Sequence, residues 1–425
     1  MTRDTLLHTF RAFKNRNYAL FFAGQGISQI GTWMQRTGVS WVVYSMTHSE
    51  FMLGLTIFAS QFPSFFFSLY GGIISDRYNR RKILLITQSA SMIQAILLAV
   101  LILTGHYSLW WIIILSAILG LINAFDVPAR QPMLHELIQD KTDLTNALAL
   151  NSAMVNLARI IGPALSGIVL VNFGAGICFL SNAFSFVAVL ISLLLMKLAP
   201  FVPAPHKKKT GSQLVEGFTY LKQTPLLGMT ILMAAILSLL VWPYDTLIPV
   251  FAKVVFKGDA ATFGYISSFM GVGAIIGTFM LAALKKGTDL KIVLLINTIV
   301  SGISLMLFSH ITYFPLAMVF ATITGFSTLS LATICITIVQ VNADVTMRGR
   351  AMSYIALAFF GMLPLGSLLI GSISQRIGAP DTLLCEGIMA LLIAAAFSPF
   401  LRSDRLKKRE KEQFEETEDL VMKKL

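Results

Sequence analysis

The chain has 425 residues and a formal net charge of +12; 56% of its residues are hydrophobic and only 13% are charged. A soluble domain of this length cannot bury so much apolar surface, which excludes a soluble enzyme and predicts an integral membrane protein. In a soluble protein this charge would suggest nucleic-acid binding, but here Lys and Arg lie between apolar runs, where they set orientation. We therefore expect no nucleic acid and no cofactor.

Residues 1–16 are polar and basic without the pattern of a cleavable signal, so the first helix is the expected targeting element. Twelve apolar runs follow, each of about 20 residues and able to cross a bilayer: 18–44, 52–74, 83–104, 109–126, 147–171, 176–196, 226–251, 262–284, 292–309, 314–339, 351–373 and 382–401. They predict an all-α protein with twelve transmembrane helices. Cys178, Cys335 and Cys385 lie inside these runs without metal-ligand spacing, and we expect buried side chains rather than a disulfide or a metal site.

Basic residues are unequally distributed between the two sides of the membrane. If the N-terminus is cytoplasmic, that side receives Arg3, Arg11, Lys14, Arg16, the cluster 77–82, Arg130, Lys141, residues 207–209, Lys285, Lys286, Arg348 and Arg350. The opposite side receives only Lys253, Lys257 and Arg376. This asymmetry predicts that both termini are cytoplasmic.

The spacing of the runs divides the chain into four parts. Residues 1–196 and 226–401 each hold six helices, and we expect two pseudo-symmetric halves related by an axis along the membrane normal. The linker, 197–225, contains three prolines, three consecutive lysines and an amphipathic segment with Leu214, Phe218 and Leu221 at helical spacing. That segment is expected either at the membrane interface or as a solvated helix. The charged tail, 402–425, is assigned no role in transport.

The turn between the second and third runs reads Gly72-Ile-Ile-Ser-Asp76-Arg77-Tyr-Asn79-Arg80-Arg81-Lys82. It resembles the loop signature of the major facilitator superfamily, G-x-x-x-D-R-x-G-R-R-[KR], with Asn in place of the second glycine. Asn tolerates positive φ, so we expect the turn to form. Arginines here set topology, but acids contribute little to it. The resemblance therefore implies that Asp76 braces this face as a conformational switch, with Arg77, Arg80 and Arg81 binding neighbouring acids.

The first helix carries a polar face, because five side chains recur at spacings of three and four: Gln25, Ser28, Gln29, Thr32 and Arg36. Such a face cannot contact lipid. Two interpretations are open, a water-filled cavity and hydrogen bonds between packed helices; five polar residues including a cation favour the cavity. Gln61, near Pro63 in the second helix, is expected to extend the lining.

In the fifth helix Ser152, Asn156 and Arg159 share one face, and Arg159 lies near the middle of the span. A cation at that depth is costly unless it meets water, an acid or an anionic ligand. Arg159 is therefore a candidate for substrate contact, and a permanent structural pair with an acid or with helix-end carbonyls is the equal alternative.

The next residues, Gly162-Pro163-Ala-Leu-Ser166-Gly167, partly resemble the G-P-x-x-G-G element of antiporters in the same superfamily. Pro163 removes a backbone hydrogen bond and bends the helix, while the small residues allow a neighbouring helix to approach. Packing alone would explain these residues. The resemblance implies a bend around which two conformations exchange.

Two acids complete the set of candidate residues. Asp126 is expected to end the fourth helix before Pro128 and to make a gate contact with Arg130 or the cluster 77–82, rather than to bind a proton. Asp245 lies in the seventh run at nearly the depth of Arg36 in the first. The first helices of the two halves face each other across the cavity of two-repeat transporters. We therefore expect the side chains of Arg36 and Asp245 to approach when the periplasmic side closes.

Taken over almost its whole length, the chain resembles the transmembrane secretion effector branch of the superfamily. The resemblance rests on the signature loop and on the segments 10–18, 31–36, 156–163, 348–353 and 363–366. It implies proton-driven export of small organic molecules, of the drug or siderophore class, by a monomer in lipid of the bacterial inner membrane. An importer or lysophospholipid flippase on the same fold is the alternative, and a non-transporting sensor is disfavoured because it gives the polar first helix no purpose.

Overall fold

The computed structural model describes residues 10–138, 141–198, 210–285 and 287–402, and these are helices joined by short loops, without strands. After a 3₁₀ turn at Arg11–Lys14, the first set comprises α1 (Arg16–Thr47), α2 (Glu50–Arg77), α3 (Arg80–Leu103), α4 (Leu109–Leu137) and the stretch Lys141–Leu195. That stretch is two helices, because Gly174 has φ 80° and ψ 172°. We name them α5 (141–173) and α6 (175–195).

The second set follows the linker helix α7 (Thr210–Gln223). Its first member, α8 (Pro225–Leu240), continues through a 3₁₀ segment (Trp242–Leu247), a short turn (Ile248–Val250) and a π-helical turn (Phe251–Val255). The remaining helices are α9 (Ala260–Ala282), α10 (Leu290–Ser309), α11 (Phe314–Asn342), α12 (Arg348–Ile377) and α13 (Ala379–Arg402).

The described residues confirm the predicted number of membrane helices. Ten segments are long and apolar enough to cross a membrane, and one of them, Asp143–Leu195, holds both α5 and α6. Helix α1 adds a further segment of 32 residues, which gives twelve. Its polar face lowers its hydropathy below that of the others, although its length suffices for a crossing.

Helix packing is repeated in the two sets. In the first, α1 packs on α5 and α6, α2 on α4 and α3 on α6; in the second, α8 packs on α12 and α13, α9 on α11 and α10 on α13. Between the sets, α2 packs on α12 and α5 on α9. Each of these contacts has its counterpart under exchange of the sets, which is the arrangement of transporters built from two six-helix repeats. We call the end of the bundle that holds α7 the linker end and the opposite end the distal end.

Helix α4 does not end at Asp126; that prediction was wrong. The helix runs through Pro128 and Pro132 to Leu137. Pro132 cannot donate to the carbonyl of Pro128, but the Ser75 hydroxyl of α2 donates to that oxygen at 3.0 Å. A freed carbonyl that a neighbouring helix satisfies allows a membrane helix to continue through proline.

Two further expectations also require correction. Asn79 has φ −61° rather than a positive value, and its side chain caps α3 by accepting a hydrogen bond from the backbone N–H of Lys82. Cys178 and Cys335 are buried, but Cys385 is exposed on the surface of α13. An apolar run has one face toward lipid, so a position inside it does not determine burial.

The linker helix is attached to the second half of the chain. Glu216 forms an ion pair with Arg350, and the Tyr220 hydroxyl accepts a hydrogen bond from the backbone N–H of Asp344 at 3.1 Å. Leu221 is buried, whereas Phe218 is half exposed. The side chain of Leu214 lies outside the described residues, as do residues 1–9 and the predictions made for 199–209 and for the tail beyond Arg402.

Candidate functional site

A cavity of about 270 Å³ lies between the two sets of helices. Helices α1, α2 and α5 line one side, and the Trp242–Leu247 segment with α9, α11 and α12 lines the other. This volume is just below the range of small-molecule sites, roughly 300–1,000 Å³. Its position at the repeat interface, about midway along α5, is where two-repeat transporters bind their substrates.

Two guanidinium groups lie over one aromatic ring in this cavity. The Cζ atoms of Arg36 and Arg159 are 5.1 and 5.3 Å from the ring centroid of Trp33. Cation–π contact stabilises each arginine without consuming its hydrogen-bond donors. The cavity wall therefore presents two cations whose N–H groups remain available to a ligand.

The two arginines differ in their partners. Arg36 Nη2 is 3.6 Å from Asp245 Oδ2, and both side chains are about half exposed. Arg159 is different, because its Nε is buried without a hydrogen-bond partner and no carboxylate lies within ion-pair distance of it among the described residues. The permanent ion pair considered for Arg159 is therefore not observed there. The Nε–H group of Arg159 thus lacks a hydrogen-bond acceptor within the described residues.

A glycine explains how Arg159 reaches Trp33. A Cβ atom on Gly162 would lie 2.4 Å from Cβ of Trp33 and 3.0 Å from the Ile30 carbonyl oxygen. Only glycine lets α5 approach α1 this closely. Ser166, which replaces a glycine of the antiporter element, donates a hydrogen bond to the Met34 carbonyl at 3.0 Å and fixes the same crossing.

The structure divides the predicted pathway residues between the cavity and the helix packing. Arg36, Gln61, Arg159 and Asp245 line the cavity. The others lie toward the linker end, where Gln25 and Ser28 are buried, Gln29 and Thr32 are partly buried, Ser152 is exposed and Asn156 donates to the Ser152 carbonyl.

Sequence reasoning missed Trp33, Trp242 and Tyr244 as lining residues. The signal for Trp33 was present, because it lies three residues before Arg36 on the same helical face.

Close contacts between α2 and α12 shut the distal end of the cavity. A Cβ atom on Gly54 would be 2.3 Å from the Ser367 carbonyl oxygen, and one on Gly371 would be 2.5 Å from the Glu50 carbonyl oxygen. Nearer the surface, the Ser49 hydroxyl lies 2.6 Å from Oε1 of Gln375. Backbone contact of this kind requires glycine.

The symmetry-related pair, α5 and α9, makes the same type of contact. A Cβ atom on Gly167 would be 2.8 Å from the Ala260 carbonyl oxygen, and one on Gly264 would be 2.5 Å from that of Pro163. Deeper in the bundle, the Ser268 hydroxyl donates to the Ile160 carbonyl at 2.8 Å. We call these two pairs, α2 with α12 and α5 with α9, the gate-helix pairs. Both are in backbone contact at the distal end.

Gly54→Ala is expected to open the distal end, because the added methyl group cannot fit against the Ser367 carbonyl while α2 and α12 are in contact. Gly26→Ala is the matched control, since its methyl group would meet only the flexible Met154 side chain at 3.4 Å. The measurement is thiol labelling of a cysteine introduced as Ala260→Cys, in a protein whose three native cysteines are replaced. Ala260 is only 3% exposed and lies beside Gly167, so labelling reports the opening of the distal end. Equal labelling of both glycine variants would contradict the steric argument.

The signature loop forms an ion-pair chain at the linker end. Arg80 pairs with Glu136 of α4, lies 3.5 Å from Asp76, and its Nε lies 3.4 Å from the Ser75 hydroxyl. Arg81 donates to the Leu194 carbonyl of α6 at 2.8 Å. The contacts of the loop therefore connect α2, α3, α4 and α6.

The glycine that allows close packing of α2 on α4 is Gly71, one residue before the predicted Gly72. A Cβ atom on Gly72 would meet no atom within 4 Å, whereas one on Gly71 would be 1.9 Å from the Ala124 carbonyl oxygen. The crossing of α2 and α4 therefore depends on Gly71.

Asp126 is the centre of a buried polar network in the first half. Its Oδ1 accepts hydrogen bonds from the Thr87 hydroxyl at 2.8 Å and from Gln88 Nε2 at 2.7 Å. Its Oδ2 lies 3.6 Å from Nε of Arg130, and Arg130 donates to Gln25 at 3.3 Å. The contact with Arg130 that the sequence predicted is present, and it joins α1, α3 and α4.

Asp76→Asn is expected to abolish most transport while leaving the amount of folded protein unchanged. The Asp76 side chain is 67% exposed and its partner Arg80 retains Glu136, so the loss of stability is small, about 0.5 kcal/mol. We expect the charge of Asp76 to be needed when the linker end closes, and the transport rate measures this. Lys82→Gln, which changes the charge of the same loop, is the control; normal efflux by Asp76→Asn would contradict this role.

The fold and the site together define a membrane transporter of the major facilitator type, with twelve helices in two matched sets and a charged cavity where they meet. The sequence model of the family described as transmembrane secretion effector matches residues 7–424, and the chain belongs to this family. The family consists of transporters rather than enzymes.

Curated relatives cover most of the chain. The Staphyloferrin A transporter of Staphylococcus aureus is 28% identical over 397 residues, which are 92% of this chain and 98% of that protein. The multidrug efflux pump Tap of Mycolicibacterium fortuitum is 23% identical, covering 89% and 93%. The enterobactin exporter EntS of Shigella boydii is 27% identical, covering 81% of each chain.

Solved structures share the fold at low sequence identity. A mutant of the nucleoside transporter NupG superimposes with a TM-score of 0.75 at 11% identity, covering 91% of this chain and 99% of that one. A bacterial homologue of the human lysosomal transporter Spinster, in an inward-facing and unoccupied conformation, gives 0.68 at 14% identity, covering 91% and 96%. At these identities the likeness establishes the architecture alone.

Proposed function

We propose that the protein exports small anionic organic molecules of the siderophore class by proton-coupled alternating access. The observation that carries this proposal is the pair of arginines on Trp33, of which Arg159 has a buried Nε without a hydrogen-bond partner among the described residues. A buried guanidinium is stabilised when an anion supplies the missing acceptor. Relatives named for siderophore transport support the same class of cargo.

The charge of the cavity distinguishes between cargo classes. Arg36 and Arg159 supply two positive charges and Asp245 one negative charge, so the wall is net cationic. A cationic drug would be repelled there, whereas a carboxylate or catecholate ligand would be attracted. Iron(III) chelators present such hard oxygen donors. The charge favours a siderophore over the cationic drugs that efflux pumps of this fold could also carry.

An anionic ligand would also act on the contact between the halves. Arg36 already binds a carboxylate, that of Asp245, and a ligand carboxylate that bridges Arg36 and Arg159 would compete with it. Binding would thereby weaken one contact that holds the distal end closed. A ligand shifts a conformational equilibrium only through such differences in contact between the states.

The conformation supports a cavity accessible from the linker end. The distal ends of both gate-helix pairs are in backbone contact. Toward the linker end, by contrast, the α2 side chains Phe66, Leu69 and Tyr70 are 54–60% exposed. With basic residues concentrated at the linker end, that end is cytoplasmic and the distal end is periplasmic. The state is then inward-facing.

The remaining features of the proposal follow from this orientation. Both termini lie in the cytoplasm and the protein works as a monomer in the lipid of the bacterial inner membrane. Residues 1–196 and 226–401 are the two moving halves, 197–225 is the linker and 402–425 is a cytoplasmic tail. The cytoplasmic gate comprises Gly72, Asp76, Arg77, Arg80, Arg81, Asp126 and Arg130, and the α5 bend comprises Gly162, Pro163 and Gly167.

The proposal is tested with everted membrane vesicles that contain the protein. The interior of an everted vesicle corresponds to the periplasm, so an acidic interior reproduces the inward proton gradient of the cell. This gradient should drive uptake of iron-free staphyloferrin A or enterobactin but not of the cationic dye ethidium. Vesicles carrying Arg159→Ala serve as the control for specific uptake. Accumulation of ethidium alone would replace siderophore export by drug efflux, and accumulation in right-side-out vesicles only would indicate an importer.

A further inference from the structure

Glu386 is a buried acid to which the proposed cargo site gives no role. It lies on α13 with an exposure of 1%, and neither of its carboxylate oxygens has a hydrogen-bond partner within the described residues. A carboxylate without partners is costly to bury, so such a group is neutral where it stands. Acids in the interior of a membrane bundle mark ion or proton pathways.

No basic residue on the elements packed against α13 compensates this acid. Those elements are α10, α12, α8 and the Trp242–Leu247 segment. Helix α8 has no charged residue, and α10 has only Lys291, about 15 Å along the helix from the level of Glu386. The charged residues of α12 are Arg348, Arg350 and Arg376, at its two ends. The Trp242–Leu247 segment carries two titratable residues, Tyr244 and Asp245, and neither is basic.

Glu386 lies at a close helix crossing that contains a second unsatisfied polar group. Its neighbour Gly387 contacts α10, where a Cβ atom on Gly302 would be 2.8 Å from the Gly387 carbonyl oxygen. Ser301, next to Gly302, is fully buried, and its hydroxyl also has no hydrogen-bond partner within the described residues. Three polar atoms without partners at one crossing form a place where a proton can be held and exchanged.

Tyr244 connects this crossing to the central cavity. It lines the cavity, and the segment that carries it packs against α13, the helix of Glu386. The segment that carries Tyr244 is 3₁₀-helical and leads into a π-helical turn. Within the part of the chain that the structure describes, its Trp242 Nε1 and Thr246 Oγ1 atoms are buried without hydrogen-bond partners. Irregular turns of this kind inside a helix are typical of moving parts. A small displacement of this segment would connect Glu386 with cavity water.

We propose that Glu386 carries the coupling proton of this transporter. In the conformation observed, the carboxyl group holds its proton away from both sides of the membrane. When cargo binds, the group gives that proton to water of the central cavity past Tyr244 and becomes a carboxylate. When the distal end is open, it takes a proton from that side and is neutral again. This inference rests on the proposed function, since it assigns the coupling residue of the same transport cycle.

The protonation state is tested without any cargo, by infrared spectroscopy of the purified protein in lipid at neutral pH. We expect a stretching band of a protonated carboxyl group that disappears in Glu386→Gln and remains in Asp381→Asn. Asp381 is the matched control, since it lies on the same helix but is 61% exposed beside His310. A spectrum unchanged in Glu386→Gln would overturn the proposal, whatever cargo the protein carries.

The coupling role is tested in proteoliposomes with iron-free enterobactin as the probe. Glu386→Gln should reduce uptake driven by a pH gradient by about tenfold, whereas exchange of labelled for unlabelled probe, which needs no net proton movement, should stay within about twofold of wild type. Glu386→Asp, which keeps a titratable group, should retain driven uptake. Equal loss of both activities, or a lowered melting temperature in detergent for Glu386→Gln alone, would make Glu386 a structural residue and overturn the proposal. If the wild type transports no siderophore, the proposed function fails and the infrared band still decides.

Discussion

Arg159→Ala is expected to abolish export of anionic cargo, the largest effect that we expect from a single substitution in the cavity. The variant removes the one cavity cation that no carboxylate neutralises among the described residues. Hydrogen bonds to a charged group contribute about 1.5–3 kcal/mol, so affinity for an anion should fall by roughly 10- to 100-fold. Binding of iron-free enterobactin to purified protein, measured by calorimetry, gives the affinity directly.

Arg159→Lys separates charge from geometry. Lysine keeps the positive charge but loses the planar fork and the stacking on Trp33, so it should retain part of the affinity that Arg159→Ala loses. Both variants should melt within a few degrees of wild type, because Arg159 makes no ion pair in the described structure. If both melt far below wild type and bind equally poorly, Arg159 holds the helices together rather than the cargo.

The fold could be predicted from hydropathy because lipid imposes the length of each helix, and the count of twelve required only apolar runs of sufficient length. The relation between Arg36 and Asp245 could be predicted for a similar reason. Each lies twenty residues after the first residue of its membrane segment, Arg16 or Pro225, and a similar number of helical residues gives a similar depth.

Contacts that depend on which face of a helix meets which neighbour could not be predicted in the same way. The importance of Gly71 rather than Gly72, and the passage of α4 through Pro128, depend on the crossing of α2 and α4. The division of the polar face of α1 between the cavity and the packing depends on how α5 and α6 cover it. Glu386 is a different case, since an acid inside an apolar run is visible in the sequence and was overlooked.

The contact between Arg36 and Asp245 is expected to bias the conformational equilibrium rather than to stabilise the fold. The atoms are 3.6 Å apart and both side chains are about half exposed to the cavity. A hydrated pair of this kind contributes up to about 1 kcal/mol, which changes the ratio of closed to open distal ends by about fivefold. Arg36→Gln and Asp245→Asn should each raise thiol labelling of Ala260→Cys by this factor in the absence of cargo.

The two substitutions should have opposite effects on cargo. Arg36→Gln removes one of the two cations proposed to bind the ligand and should weaken binding of iron-free enterobactin, whereas Asp245→Asn removes the carboxylate that occupies Arg36 and should strengthen it. If the two substitutions acted only by disturbing the packing, binding would be weaker in both variants.

The charge swap then tests the pair itself. Arg36→Asp combined with Asp245→Arg restores opposite charges across the same distance, so thiol labelling of Ala260→Cys should return toward the wild-type level while labelling in each single reversal stays high. Transport should recover in part only, because the swapped cation stands on the opposite wall of the cavity and no longer stacks on Trp33 beside Arg159. Labelling that is unchanged by the single substitutions, or that the swap does not reduce, would show that other contacts at the distal end hold it closed.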